Sequence, residues 1–136
     1  MSKFIIKGNR ALSGEIEVSG SKNAALPIIF ATVVARGVSV LRSVPDISDV
    51  RVALEILSDM GASITRKADS VTIDTTELEY SVPSDRLVSR IRASSYLLGA
   101  NLARFGICHL QSFGGCNFGS RPIDMHISAM RALGAR

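Results

Sequence analysis

A glycine-rich stretch late in the chain holds the residues best suited to chemistry. Residues 113–126 read Phe-Gly-Gly-Cys-Asn-Phe-Gly-Ser-Arg-Pro-Ile-Asp-Met-His. Glycine permits left-handed and tightly folded backbone, so this stretch predicts a loop that presents the thiol of Cys116. Arg121 follows five residues later, and Pro122 and Asp124 are placed as in the first turn of a helix. A fixed cation and a helix N-terminus lower the pKa of a nearby thiol and attract anions.

The same residues have a second interpretation, a glycine-rich surface turn in which Cys116 is only a small apolar side chain. We favour the functional interpretation, because reactive cysteines occur in electropositive, partly exposed loops and structural cysteines are buried.

Two motifs resemble signatures of one family. Residues 114–126 are similar to the cysteine loop of the UDP-N-acetylglucosamine 1-carboxyvinyltransferases, which are enolpyruvyl transferases. Residues 19–27, Ser-Gly-Ser-Lys-Asn-Ala-Ala-Leu-Pro, resemble the N-terminal signature of the same family. The resemblance spans the whole chain but only about the first third of a family member.

The resemblance implies a role for each matching residue. Cys116 would donate a proton to the methylene carbon of phosphoenolpyruvate, and it could also form a covalent adduct with that substrate. Lys22 and Arg121 would neutralise the phosphate, with Asn23 beside them. The residues expected to hold the nucleotide sugar are Arg92, Tyr96, Arg121, Pro122, Ile123, Asp124 and Met125.

Three further side chains receive milder interpretations. Tyr96 stands where many family members carry tryptophan, so an aromatic face is kept there. His126 matches the motif, but we expect it to be buried in a helix and bonded to backbone. Cys108 and His109 are assigned to packing in a strand.

The reaction implied is the transfer of enolpyruvyl from phosphoenolpyruvate to the 3-hydroxyl of UDP-N-acetylglucosamine. It proceeds by addition and elimination, releases phosphate, and opens peptidoglycan synthesis in the cytoplasm. No cofactor or metal is implied, because lysine and arginine can meet the phosphate charge. The carboxylate usually credited as the base lies in later segments of the family. A chain of this extent is therefore expected to need the remainder of its own enzyme chain and to be inactive alone.

Composition limits the other classes of protein. The chain has 136 residues, of which 46% are hydrophobic, enough for a real core. Its longest apolar run, residues 24–35, is too short to span a bilayer, and no signal peptide is evident. The net charge of +4 is dispersed and aromatics make up only 5%, so a nucleic-acid surface is not favoured. Neither disulfides nor a zinc site fits the cysteine spacing.

The hydrophobic pattern predicts alternating strands and helices. A hydroxyl cap from Ser21 is expected at the first helix, which is apolar nearly all round and should lie inside the fold. The predicted strands are residues 4–7, 15–18, 38–41, 62–66, 71–75 and 107–111, and the predicted helices are residues 22–35, 50–60, 84–104 and 123–133.

An internal repeat organises these elements. Residues 37–41 align with 106–110, and Met-Gly-Ala at 60–62 aligns with Leu-Gly-Ala at 133–135. Similar packing of the two copies would bring Lys22 and Arg92 toward one anion site. With the resemblance, the repeat predicts an α/β fold, an inside-out α/β barrel of βαβαββ-type repeats, of which about two are present.

The predicted organisation has two parts. Residues 1–21 would supply strands to the other lobe of the full enzyme. Residues 22–136 would form a partial enolpyruvyl transferase domain, with one repeat at about 22–75 and a second, truncated repeat at about 84–136.

Three alternatives to this function stay open. A shikimate-pathway enolpyruvyl transferase shares the repeats, but a reactive cysteine in this loop argues against it. A phosphosugar or nucleotide binding module without chemistry is the second. A thiol redox protein is the third, weakened because no Cys-x-x-Cys pair is present.

Overall fold

The structure is a computed structural model, and it describes residues 3–8, 11–111, 114 and 122–136. Five α-helices, three strands and one 3-10 helix are present in these residues. In chain order they are α1 (Lys22–Ala31), β1 (Val38–Leu41), α2 (Ser48–Asp59), β2 (Ser63–Lys67), β3 (Ser70–Asp74), α3 (Asp85–Val88), the 3-10 helix (Arg92–Tyr96), α4 (Leu97–Phe105) and α5 (Asp124–Ala132).

The three strands form one antiparallel sheet in the order β1-β3-β2. The predicted strand at 38–41 and the predicted hairpin are both confirmed. Central strand β3 alternates, so that Val71 and Ile73 are fully buried beneath the helices. All three strands belong to the predicted first repeat.

Helices α1 and α2 contribute the largest shares of the core. The spacing of apolar residues in 50–60 predicts a buried face of Val50, Ala53, Leu54 and Leu57. This face is confirmed, and Val52 and Ile56 are buried with it. Helix α1 buries Ile29 and Phe30 completely, but Ile28 on its other side is 49% exposed. The prediction of a helix enclosed on all sides was therefore wrong for one face of α1.

The start and end of α1 also differ from prediction. Ser21 is the N-cap residue, but its side chain makes no capping hydrogen bond; its carbonyl accepts one from the Ala25 N–H at 2.9 Å. The helix ends at Ala31, four residues early, where the Thr32 hydroxyl donates to the Ile29 carbonyl at 2.7 Å.

The predicted long helix at 84–104 is broken into α3, the 3-10 helix and α4. Ile91 is extended between them, with φ −133° and ψ 141°. The buried Ser94 hydroxyl lies 2.8 Å from the carbonyl oxygens of both Val88 and Ile91, and such side-chain bonds compete with regular helix. Apolar periodicity could not reveal this break.

Three predicted strands are not formed. Residues 4–7, 15–18 and 107–110 have no regular structure, and position 111 is a bend. A strand needs a hydrogen-bonded neighbour, and within the described part of the chain none lies beside these segments. Local sequence alone therefore does not make them strands.

The repeat is visible in how two helices end. Gly61 and Gly134 both have positive φ, 105° and 103°. The Ala62 N–H donates to the Leu57 carbonyl, and the Ala135 N–H donates to the Met130 carbonyl, five residues back in each case. Both helices thus end in the same Schellman arrangement.

The packing of the two repeat helices is not the same. Helix α2 buries six residues, whereas α5 buries none completely. The two helices therefore differ in burial within the described residues. A Cβ added to Gly99 of α4 would fall 3.9 Å from the Met130 methyl carbon of α5, so these two helices approach each other at that point.

Candidate functional site

A cleft of about 600 Å³ lies where α1, α2, the 3-10 helix, α4 and α5 approach one another. Its lining is half polar and half apolar by residue. The polar lining includes Lys22, Asn23, Asp49, Arg92, Ser95, Tyr96 and His126, and the rest is Leu26, Pro27, Ala93, Leu98, Gly99, Ile123 and Met130.

Lys22 is the first residue of α1, beside Asn23, so both predicted residues reach the cleft from one helix start. The Lys22 ammonium lies 3.2 Å from a carboxylate oxygen of Asp49, in the first turn of α2. Both side chains are partly exposed, so this ion pair is weak and open to exchange.

The approach of the chain to Lys22 is fixed by Gly20. A Cβ placed on Gly20 would fall 1.7 Å from the carbonyl oxygen of Ser43, closer than any contact allows. Ser43 itself has a positive φ of 55°, which is uncommon outside glycine. This close crossing lies two residues before Lys22, the first residue of α1.

Arg92 and Tyr96 come from the two ends of the 3-10 helix. Arg92 is half-buried and starts this helix, which corrects the prediction of a mid-helix position. Tyr96 is 49% exposed, with its ring centroid 6.4 Å from that of buried Phe30. The predicted approach of Lys22 and Arg92 is supported, since both line the same cleft.

The helix after the cysteine loop contributes unevenly. Ile123, at the N-cap position of α5, lines the cleft, whereas Pro122, Asp124 and Met125 are exposed outside its lining. His126 is exposed and lines the cleft, so the expectation of a buried, backbone-bonded histidine was wrong. The reason is that α5 lies on the surface of the described structure.

Two central predictions cannot be placed. Cys116, the predicted acid, and Arg121, the predicted second phosphate ligand, lie outside the described residues. Gly114, just before them, lies against the end of α3: an added Cβ there would fall 1.7 Å from the Ser89 carbonyl oxygen.

The other thiol has the environment of a packing residue. Cys108 is half-buried, and its Sγ lies 3.7 Å from the Leu97 carbonyl oxygen. Burial raises the pKa of the Cys108 thiol, and a hydrogen bond from the Asn101 amide opposes this only in part. His109, expected to pack in a strand, is exposed instead, with Nδ1 3.1 Å from the Tyr80 hydroxyl.

Sequence reasoning missed Asp49 and Met130 as cleft residues. One signal was available for the first: α1 begins with a lysine and has no acidic residue in its first turn, an unfavourable arrangement that calls for an anion nearby. The sequence does not show which acid supplies it.

The described residues contain neither a metal-binding cluster nor a membrane-spanning helix. No group of three or more His, Cys, Asp or Glu side chains there is arranged to hold a metal ion. Equally, none of the helices traced in the structure combines the length and apolar character needed to cross a bilayer.

Comparison with known proteins points to one family. The sequence profile of EPSP synthase (3-phosphoshikimate 1-carboxyvinyltransferase) matches residues 6–136. UDP-N-acetylglucosamine 1-carboxyvinyltransferases of Psychrobacter arcticus and Halothermothrix orenii are 43% and 45% identical to the chain over 99% of its length. The chain spans 32% of the length of each of these relatives.

A solved structure agrees with this. The enolpyruvyl transferase NikO from Streptomyces tendae matches 93% of this chain with a TM-score of 0.76 and 27% sequence identity. The match takes up 28% of that protein's chain. The predicted enolpyruvyl transferase fold, here a part of it, is therefore confirmed.

Proposed function

The chain belongs to the EPSP synthase (3-phosphoshikimate 1-carboxyvinyltransferase) family, and on that premise we propose that it is part of a UDP-N-acetylglucosamine enolpyruvyl transferase. The enzyme would move the enolpyruvyl group of phosphoenolpyruvate to the 3-hydroxyl of the sugar nucleotide and release phosphate. This is the first committed step of peptidoglycan synthesis, in the cytoplasm, and it serves cell shape and division.

One observation carries this proposal. Five residues expected from sequence to touch the substrates come together in one cleft from separate segments of the chain: Lys22, Asn23, Arg92, Tyr96 and Ile123. The cleft volume of about 600 Å³ falls in the usual range for small-molecule sites.

The charges of the cleft suit two anionic substrates. Lys22 would bind the phosphate of phosphoenolpyruvate, together with Arg121, and Arg92 would bind the nucleotide sugar. Tyr96 lines the cleft and is 49% exposed, so its ring could contact the nucleotide sugar. Pro122, Asp124 and Met125 would complete the sugar site.

Chemistry would begin with addition. Cys116 would donate its proton to the methylene carbon while a base removes the proton of the sugar hydroxyl, giving a tetrahedral ketal. Elimination then removes a proton from the new methyl group while the ketal C–O bond to phosphate breaks, which forms the enol ether and frees phosphate. We place the base in the remainder of the enzyme chain, so residues 1–136 alone should not turn over.

The test is a phosphate-release assay of the full-length protein. We expect release with phosphoenolpyruvate plus UDP-N-acetylglucosamine, and none with phosphoenolpyruvate plus shikimate 3-phosphate. Lys22→Gln should reduce kcat/KM for phosphoenolpyruvate by about 100-fold or more, since one charge-assisted contact is lost in the transition state. Lys67→Gln, at an exposed lysine of the β2–β3 hairpin, is the matched control and should not change the rate.

The family profile favours one other candidate, the shikimate-pathway enolpyruvyl transferase. Release only with shikimate 3-phosphate would support that enzyme and overturn the proposal. Tight binding of the sugar nucleotide without release from either pair would instead indicate a binding protein.

A further inference from the structure

Asp49 gives the cleft a negative charge at an unexpected place. Of the described residues that line the cleft, it is the one with a carboxylate. One carboxylate oxygen lies 3.2 Å from the Lys22 ammonium, and the other lies 3.4 Å from the Ser48 hydroxyl. A carboxylate so close to a proposed phosphate ligand would repel a phosphate group.

Asp49 and Lys22 pair because each lies at the start of a helix. Asp49 lies in the first turn of α2, where the helix dipole favours an anion. Lys22 begins α1, where the dipole disfavours a cation and the first turn contains no acid. The carboxylate is thus stabilised by its own helix, whereas the ammonium needs an anion from elsewhere.

On the basis of the proposed function, we infer that Asp49 is a positioning residue that exchanges with phosphate at the Lys22 ammonium. With the cleft empty, the carboxylate keeps the ammonium directed over the cleft. When a phosphate group enters, the ammonium transfers its hydrogen bond to phosphate oxygen. When phosphate leaves, Asp49 pairs with Lys22 again.

Exchange is feasible because the ion pair is partly open to water. The Lys22 and Asp49 side chains are 51% and 36% exposed, so separating them leaves neither charge buried. Each turnover would release one phosphate, and re-pairing would oppose its retention. Asp49 therefore lowers the affinity of the cleft for phosphate while keeping Lys22 in place.

Calorimetric titration of the full-length protein with inorganic phosphate, at constant ionic strength, tests this exchange without requiring turnover. Asp49→Asn should lower the phosphate Kd by about threefold to tenfold, because the competing charge is removed. Asp49→Glu should restore a Kd near that of the unmodified protein. Asp46→Asn is the matched control, since Asp46 pairs with Arg51 outside the cleft, and it should leave the phosphate Kd unchanged.

A double-mutant cycle separates exchange at Lys22 from general repulsion. The Lys22→Met protein and the double variant that combines Lys22→Met with Asp49→Asn should bind phosphate equally weakly or not at all. This result would support the exchange. An unchanged or raised Kd in Asp49→Asn would overturn it. So would an equal gain in affinity when Lys22 is absent. If the exchange is observed but the full-length protein does not transfer enolpyruvyl, only the proposed function is overturned.

Discussion

At the scale of single residues, the two thiols of the chain differ in expected reactivity. Cys116 is predicted to lie near cations, whereas Cys108 is half-buried beside the Leu97 carbonyl. A thiolate is the attacking form, so the thiol with the raised pKa should react more slowly at neutral pH.

Labelling should therefore separate the thiols. In the full-length protein at pH 7.5, an epoxide phosphonate resembling phosphoenolpyruvate should alkylate Cys116 and spare Cys108. Replacing Cys116 by serine should abolish labelling and phosphate release, and replacing Cys108 by serine should affect neither. Peptide mass mapping that placed the adduct on Cys108 would refute the assignment.

The pH dependence of Cys108 follows from its surroundings. Burial raises its pKa, so its thiolate fraction stays low until the pH exceeds the usual range for cysteine. In a Cys116→Ser protein, iodoacetamide should label Cys108 slowly near neutrality and faster as the pH rises past that range. Rapid labelling that levels off by pH 8 would contradict this.

Arg104 is a residue on which three segments depend. Its guanidinium donates hydrogen bonds to the carbonyls of Val33, Thr75 and Leu78, at 3.0, 2.7 and 3.0 Å. Arg104→Met should lower the free energy of unfolding by about 2–4 kcal/mol, because partly buried carbonyls lose a charged donor. Urea titration measures this, with exposed Arg86→Met as the control. A loss no larger than that of the control would show that water replaces the donor.

At the scale of elements, the approach to α2 is held by charge. Asp46 accepts hydrogen bonds from Arg51 at 2.8 and 2.6 Å and lies 3.6 Å from an Arg66 nitrogen. The Arg51 hydrogen bond is the main cause that lowers the Asp46 pKa, with the charges of Arg51 and Arg66 adding to it. The pair ties the loop before α2 to the helix itself.

This pair should make stability depend on pH. Because the folded pKa of Asp46 lies below its unfolded value, the contribution is present above the unfolded pKa and is lost as the pH falls through the folded pKa. Asp46→Asn should therefore flatten the fall in unfolding free energy below about pH 4. Asp69→Asn, at an exposed acid on the β2–β3 turn, is the matched control. Equal slopes in all three proteins would show that Asp46 gains nothing from its partners.

Elements that are determined by their own local sequence could be predicted. Helix α2 has its apolar stripe and Gly61, and the β2–β3 hairpin has both its strands within a few residues. Residues 107–111 read equally well as a strand, but a strand also requires a neighbour. The break at Ile91 is accompanied by hydrogen bonds from the Ser94 hydroxyl, which no periodicity records.

The candidate site also has a part that the sequence could predict and a part that it could not. Lys22, Asn23, Arg92, Tyr96 and Ile123 carried motif information, and they meet in the cleft. Asp49 carried none, because an acid in the first turn of a helix already has a local explanation. Asp49 and Lys22 are 27 residues apart in sequence, and the packing of α1 on α2 brings them together.

At the scale of the whole molecule, the described residues before Gly20, which are 3–8 and 11–19, are all exposed. Large apolar side chains there are almost fully exposed. They include Phe4 (95%), Ile6 (89%), Leu12 (96%), Ile16 (90%) and Val18 (89%). Our proposal that residues 1–21 belong to another lobe is consistent with this exposure.

A polypeptide of residues 1–136 should therefore self-associate through this segment. Removing residues 1–18 should shift it toward monomer, because the largest exposed apolar side chains are removed while Gly20 is kept. Sedimentation velocity at several concentrations measures the change. A stable monomer with cooperative unfolding before any deletion would contradict the prediction.

The crossing of Gly20 over the Ser43 carbonyl has a consequence for how this sequence can vary. A Cβ has no room there, and Gly20 lies two residues before the lysine that would bind phosphate. In a saturation library of the full-length gene selected for growth, position 20 should accept glycine alone, although it does not line the cleft. Exposed position 67 should accept most residues. A position that touches no substrate would then appear as intolerant as a catalytic one, and its intolerance would measure clearance between two backbones.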